Sequence, residues 1–287
     1  MGNQMFEYAY ARHIAHKHNT DVKMDLEYLL DRTPRENFTF RDYDMEIFNI
    51  QENFAAQDDL NLFFNNKLSS AQRILYKAKR LVNKPNFVKE RGFNFQPELL
   101  DAPDNSYIDG YFQSPKYFDG IEDIIRKEFT FKLPILEESK ALLEKIENTN
   151  SICINVRRGD FVSNPEVNKV HGLMGLAFYN EGIRLMNEKV DNPQFFVFSD
   201  DVEWCEANLK FGAPAEFVGH AHKGHKFSNY LNLMSRCKNF FIPNSTFAWW
   251  AAWLNQNPNK IVIAPKNWFS SSETDTSGLI PDSWERI

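Results

Sequence analysis

Apolar and polar positions alternate along the second half of the chain in blocks with the lengths of strands and helices. Residues 151–156, 195–198, 215–218, 240–242 and 261–264 are short apolar runs, rich in β-branched and aromatic side chains, and predict buried strands. Between them, residues 176–189, 202–209, 228–236 and 246–255 predict helices. Phe178, Ile183 and Met186 share one helical face, and Tyr230, Leu231 and Met234 lie along another helix. Strict strand–helix alternation predicts right-handed crossovers and a parallel, doubly wound α/β sheet.

The first half is less regular. Residues 5–18 predict a helix with Phe6, Tyr10 and Ile14 on one face, and residues 74–82 a basic amphipathic helix stopped by Lys84-Pro85-Asn86. Residues 107–112 read as a strand leading into a loop. Ser114-Pro115 supplies an N-cap and a first-turn proline for a helix running to Arg126. Residues 136–148 predict another helix, whereas 31–65, rich in Phe, Asn and Asp, support no assignment. Leu133-Pro134 marks a junction, so the chain divides near residue 132 into segments 1–132 and 133–287.

Three polar clusters follow predicted strands directly: Arg157-Arg158-Gly159-Asp160, Ser199-Asp200-Asp201 and Asn244-Ser245-Thr246. In a parallel sheet all three fall on the edge where such folds bind ligands. Two guanidiniums at a strand end suit phosphate oxygens, although they could instead pair with carboxylates of the sheet edge. Asp160 either holds one guanidinium or accepts a proton during a reaction. Asn244, Ser245 and Thr246 open a helix; capping and phosphate binding are both open to them and are compatible. Trp249, Trp250 and Trp253 in that helix belong to a core rather than a sugar platform, because the helix is apolar almost all round. Ser199, Asp200 and Asp201 offer a helix cap or an acceptor for a guanine edge or ribose hydroxyl. A metal is the weaker reading, since adjacent carboxylates diverge. His220, His222 and His225 match no zinc spacing and read as a solvated loop. His171 follows the arginine turn and is placed to face the same ligand. Asn3, in Gly2-Asn3-Gln4, is a helix N-cap or, with Gln4, a partner for phosphate or a sugar hydroxyl.

Composition narrows the partners. The 287 residues carry a formal net charge of −6 and 43% hydrophobic side chains, which suits a globular protein with sizeable cores. No one-signed basic face of the kind nucleic acid requires is evident, so any anion site is local. The longest apolar stretch, 240–254, is broken by Pro243-Asn244-Ser245 and predicts no membrane span; the N-terminus has no apolar signal region. Cys153, Cys205 and Cys237 lie far apart in apolar surroundings and read as reduced core thiols. The expectation is a cytoplasmic protein with at most peripheral membrane contact and no nucleic-acid partner.

Taken together, Gly2-Asn3-Gln4-Met5-Phe6 with Tyr8-Ala9, Gly110-Tyr111-Phe112-Gln113-Ser114, Arg157-Arg158-Gly159-Asp160, Phe198-Ser199-Asp200-Asp201 and Asn244-Ser245-Thr246-Phe247-Ala248-Trp249-Trp250 resemble bacterial α-1,2-fucosyltransferases, over nearly the whole chain and in the same order. The resemblance implies a GT-B architecture, two Rossmann-like domains facing a cleft: an acceptor-side domain over 1–132 and a donor-binding domain over 133–287. It implies transfer of L-fucose from GDP-β-L-fucose to a terminal galactose-type acceptor, with inversion and with neither metal nor cofactor. Arg157 would contact the β-phosphate of the donor, Ser245 and Thr246 would hold the diphosphate, and Arg158 and Asn244 would belong to the same donor site. Ser199 and Asp200 would sit near guanosine. Asn3, Gln4, Tyr111, Gln113 and His171 would line the acceptor side, and Asp160 is the candidate base. Two departures stand out. The family usually has histidine where this chain has Asn155, which can hydrogen-bond the donor but cannot titrate. The family also places a strand and a Gly-Gly-rich turn before Gly-Asn-Gln, whereas only Met1 precedes Gly2, so an N-terminal domain without that strand is expected. Two other readings remain: a non-catalytic nucleotide-sugar or carbohydrate-binding module, and another GDP-fucose transferase of α-1,6 type.

Overall fold

The computed structural model describes residues 1–34, 40–65, 68–159, 172–271 and 274–287. They form two compact units. One comprises Met1, Asn3–Phe129 and Ser277–Leu279; the other comprises Gly2, Thr130–Thr276 and Ile280–Ile287.

The first unit contains helices α1 (Gly2–His18), α2 (Ser70–Asn83) and α3 (Glu122–Glu128) and strands β1 (Asn86–Lys89) and β2 (Ser106–Asp109). The two strands pair in parallel, from Asn86 opposite Ser106 to Lys89 opposite Asp109. Met5, Phe6, Ala9 and Ile14 on α1 are buried. The Tyr10 ring stacks on Phe112 at 4.0 Å and meets Tyr117 edge-on at 5.2 Å. α1 ends at Asn19, whose left-handed backbone (φ 52°) turns its N–H back to the carbonyls of Ala15 and His16. α2 opens on a capping box in which Ser69 and Gln72 satisfy each other's amides.

Two local expectations are corrected here. Asn3 is not an N-cap, because α1 already begins at Gly2; its side chain accepts from Gln113 Nε2 instead (3.1 Å). The helix expected from Ser114 to Arg126 is two elements. Ser114 caps only a single 3-10 turn, Pro115–Phe118, and α3 starts afresh at Glu122. The break falls at Asp119-Gly120, where Gly120 takes φ 84°, a backbone state that ends helices.

The second unit contains α4 (Lys140–Asn148), β3 (Asn150–Val156), α5 (Leu176–Lys189), β4 (Pro193–Ser199), α6 (Val202–Asn208), β5 (Ala215–Val218), α7 (Ser228–Arg236), β6 (Asn239–Phe241), α8 (Thr246–Leu254), β7 (Val262–Ala264) and β8 (Glu285–Arg286). The strands form one parallel sheet in the order β5-β4-β3-β6-β7-β8. Both faces are covered, as an all-parallel sheet requires. Ile152, Ile154, Val156, Phe195 and Val197 pack with Tyr179, Ile183 and Met186 of α5 in one core. Phe198, offset by one residue, meets Tyr230 of α7 edge-on at 5.5 Å. α5 approaches the sheet through Gly182: a Cβ there would lie 2.1 Å from the Phe241 ring. Trp249 and Trp250 are fully buried, in keeping with a core role. Among the described residues no helix is long and apolar enough to cross a membrane.

Candidate functional site

The strand order creates the site. β3 comes first in this unit; β4 and β5 extend the sheet on one side of it, then the chain crosses back and lays β6, β7 and β8 on the other. The topological switch therefore falls between β3 and β6, and open α/β sheets bind ligands outside the carboxyl ends of their strands at such a switch. The arginine turn leaves β3 on one side of it, and the Asn-Ser-Thr segment leaves β6 on the other.

The arginine turn is built from both chemistry and close packing. β3 and β4 are in register through Val156 opposite Ser199, so Arg157 and Arg158 emerge beside Asp200 and Asp201. Asp200 accepts from the Arg158 backbone N–H (2.8 Å), and a side chain at Gly159 would put its Cβ 2.9 Å from the Asp200 carboxylate. Arg158 is committed to the protein. Its Nε pairs with Asp201 at 3.1 Å, and its guanidinium carbon lies 3.9 Å from the centre of the Trp204 ring. Arg157 is half-buried at the same strand end.

The neighbouring polar residues divide into those turned inward and those at the rim. Ser199 is buried; its hydroxyl accepts from the Asp201 N–H (2.9 Å), and Asp201 in turn caps α6 through the Trp204 N–H. Asn155 donates to the Phe198 carbonyl (3.1 Å). Asn244 is buried and donates to the carbonyls of Gly172 and Trp268 (3.1 and 3.2 Å), which fixes the loop ahead of α8. Ser245 caps α8 by accepting from the Ala248 N–H, and Thr246 begins the helix half-exposed. A helix start of this kind directs amides and a hydroxyl toward an anion. Asp160 and His171 lie outside the described residues.

The first unit brings a second set together. Gln113 is buried and reaches Asn3, while its Oε1 has no hydrogen-bond partner among the described residues. Tyr111 is 46% exposed. The loop they share is pinned by Glu90, whose Oε2 accepts from the N–H groups of Tyr111 and Phe112 (2.8 and 2.9 Å). Gln4 is not part of this group. Its carboxamide donates to Asp42 O and accepts from Asp44 N, tying α1 to the 42–44 segment.

Sequence reasoning missed three residues here. Trp204 supports Arg158, and only the fold brings it there. Glu90 shapes the Tyr111 loop from the end of another strand. Glu7 sits one helical turn after Asn3, a spacing that could have flagged it. Burial pushes the Glu7 carboxyl up to about 7; the Glu90 and Asp109 carboxylates push in the same direction and the Met1 ammonium opposes them. Among the described residues it forms neither a hydrogen bond nor an ion pair. Such a carboxyl can take up or release a proton near neutral pH.

Among the described residues no three His, Cys, Asp or Glu side chains come together as metal ligands. His220, His222 and His225 lie in two short 3-10 turns, with His222 Nδ1 bonded to the Ser139 hydroxyl (2.9 Å). A recess of about 480 Å³ beside α5 is lined by Arg184, Asn187 and Lys210. Arg184 there is paired with Glu181 and Glu188.

Comparison with known proteins gives the family. The family described as Glycosyl transferase family 11 matches residues 1–284. An alpha-1,2-colitosyltransferase of Escherichia coli is 31% identical over 100% of this chain and 96% of its own length. The O-antigen biosynthesis glycosyltransferase WbnK of Escherichia coli is 31% identical over 99% of this chain and 96% of its own. A galactoside alpha-(1,2)-fucosyltransferase 1 of Lagothrix lagotricha is 26% identical over 51% of this chain and 42% of that protein.

Proposed function

The chain belongs to glycosyl transferase family 11, and on that footing we propose that it is an α-1,2-fucosyltransferase. In this reading it moves L-fucose from GDP-β-L-fucose to the 2-hydroxyl of a terminal galactose-type acceptor, with inversion and without a metal. The observation that carries the reading is the pairing of the Arg157–Gly159 turn with the Ser245–Thr246 helix start across the topological switch of the sheet.

The chemistry follows from the leaving group. As the C1–O bond to the β-phosphate breaks, the electron pair moves onto GDP, and fixed donors aimed at that oxygen lower the barrier. Arg157 supplies a charged fork, and the start of α8 supplies the Thr246 hydroxyl and backbone amides. Arg158 braces the turn through Asp201 and Trp204. The acceptor oxygen attacks from the opposite face of the sugar and gives up its proton. Asp160, which follows the arginine turn in sequence, is the candidate to take it, with Asn3, Tyr111 and Gln113 assigned to the acceptor. This division of labour asks no Lewis acid to neutralise the diphosphate.

A second reading, transfer of colitose, is favoured by the full-length likeness to the colitosyltransferase. Fucose differs from colitose by the hydroxyl at C3. The test is transfer to lactose with chelator present, GDP-fucose and GDP-colitose run side by side, and proton NMR of the product. An α-1,2-linked fucoside supports the primary reading, and product from GDP-colitose alone supports the second. No transfer from either donor, with GDP still bound, would leave the binding module.

A further inference from the structure

α2 is mounted the wrong way round for a helix of a globular unit. Such helices normally turn their apolar stripe to the core and their charged face to water. Here Ile74, Leu75, Leu81 and Val82, which recur at i, i+1, i+7 and i+8, are 74%, 54%, 76% and 81% exposed. The opposite face meets the protein, and it is polar. Arg80 donates to the carbonyls of Asn61 (2.8 Å), Leu62 (2.6 Å) and Phe64 (3.2 Å), the Tyr76 hydroxyl bonds Asp58, and Lys79 pairs with Asp58 at 3.0 Å. Tyr76 is the helix's one buried residue. The capping box and these bonds fix the orientation, so the outward stripe is a built surface and not a frayed end.

The charge around the stripe points to its partner. Residues 61–89 contain seven Lys or Arg and no Asp or Glu, in a chain whose net charge is −6. Arg73, Lys77 and Lys84 are exposed and, by helical spacing, run along one flank of the stripe, with Lys79 on the other. An aliphatic stripe flanked by cations on long flexible stems fits the headgroup boundary of a lipid bilayer: the stripe enters the acyl region while the ammonium groups stay with anionic headgroups. Nucleic acid would call for aromatic stacking or polar base contacts, and the stripe offers neither.

We propose that the outward face of α2 is a docking surface for an anionic membrane, which holds the protein on the bilayer without crossing it. The fourteen-residue helix is about 21 Å long, enough to lie in the interface and too short to span it.

The experiment is vesicle flotation of the full chain with phosphatidylcholine alone and with phosphatidylcholine containing phosphatidylglycerol, at low and physiological salt. The expected result is cofloating with the anionic vesicles, reduced by salt, and weak binding to the neutral ones. I74E/L81E should lower the bound fraction at least tenfold while leaving the melting temperature unchanged, because both side chains already face water. R73Q/K77Q/K84Q should weaken binding and remove most of its salt dependence. Failure of the wild type to bind anionic vesicles at low salt overturns the proposal. So does undiminished binding by I74E/L81E, which would reduce the surface to a non-specific polyanion patch. A dimer in ultracentrifugation that I74E/L81E dissociates, with no vesicle binding, would instead assign the stripe to a second copy of the chain.

Discussion

The two units hold their chemistry in place by different means. In the second, a six-stranded ladder does the positioning, and polar residues become useful wherever a strand stops. In the first, two short strands cannot organise the chain, and side chains bonded to backbone take over. Gln4 ties α1 to Asp42 and Asp44, Tyr10 bonds the Leu99 carbonyl, Arg80 gathers three carbonyls, and Glu90 pins Tyr111 and Phe112. The comparison teaches that in the second unit the ladder itself gathers polar residues at one sheet edge, where bonds such as Arg158 to Asp201 and Asn244 to Gly172 O then fix their turns. In the first unit such bonds have to hold the chain as well, and Glu7, which makes none among the described residues, stands out against that background.

The sharpest way to break the comparison is Arg157→Ala. Loss of one fixed donor to developing charge costs about 100-fold or more in turnover, and the melting temperature should barely move because the sheet is untouched. An unchanged rate with a lowered melting temperature would make Arg157 structural, like the first unit's arginines. Gly182→Val tests the ladder itself. Its Cβ would strike the Phe241 ring, and overpacking of this kind costs about 3 kcal/mol, more than the roughly 1 kcal/mol that replacing a helical glycine can return. Urea unfolding should report the loss.

Glu7→Gln probes the exception in the first unit. The folded carboxyl releases its proton near pH 7, while an unfolded glutamate does so near 4.5. Between these values the folded state holds the extra proton, so stability falls as pH rises. The glutamine variant should therefore be more stable than the parent by about 2 kcal/mol at pH 8, allowing for partial exposure, and no more stable at pH 4. Equal unfolding midpoints at pH 8 would mean that the carboxylate is well solvated. Gln4→Ala, which strands the Asp44 N–H, should cost about 1 kcal/mol. Smallest of all, Lys189→Ala removes a partly exposed ion pair with Glu285 and should change stability by less than about 1 kcal/mol.

Much of the second unit was legible in the sequence because apolar runs and helical spacing mark a buried sheet strongly. Residues 151–156 lie within β3, 195–198 lie within β4, and 215–218 coincide with β5. β8 left no trace, since two residues at a sheet edge cannot show a period. Strand order was not legible either, because local pattern says nothing about which strands become neighbours. The polar clusters could be assigned to one edge, but not the switch between β3 and β6. In the first unit β1 is only four residues long and went unseen, and the outward stripe of α2 carries the same sequence signature as an inward one. Spacing identifies an amphipathic helix; only its partners decide which face is covered. Asp200 and Ser199 were legible as polar residues at a strand end, but the bond that Asp200 accepts from the Arg158 N–H of the neighbouring turn depends on a register that only the ladder defines.

The central place of β3 carries a consequence for synthesis. As the chain emerges, β3 can pair with β4 and then β5 long before β6 has been made, so one edge of β3 stands bare in the meantime. A bare apolar edge invites pairing with other chains. When β6 docks, it closes that edge and, in the same event, brings the start of α8 opposite the arginine turn. The switch between β3 and β6 thus exists only once the later strands begin to dock, and a ligand held across it would favour those chains in which β6 has found its place beside β3.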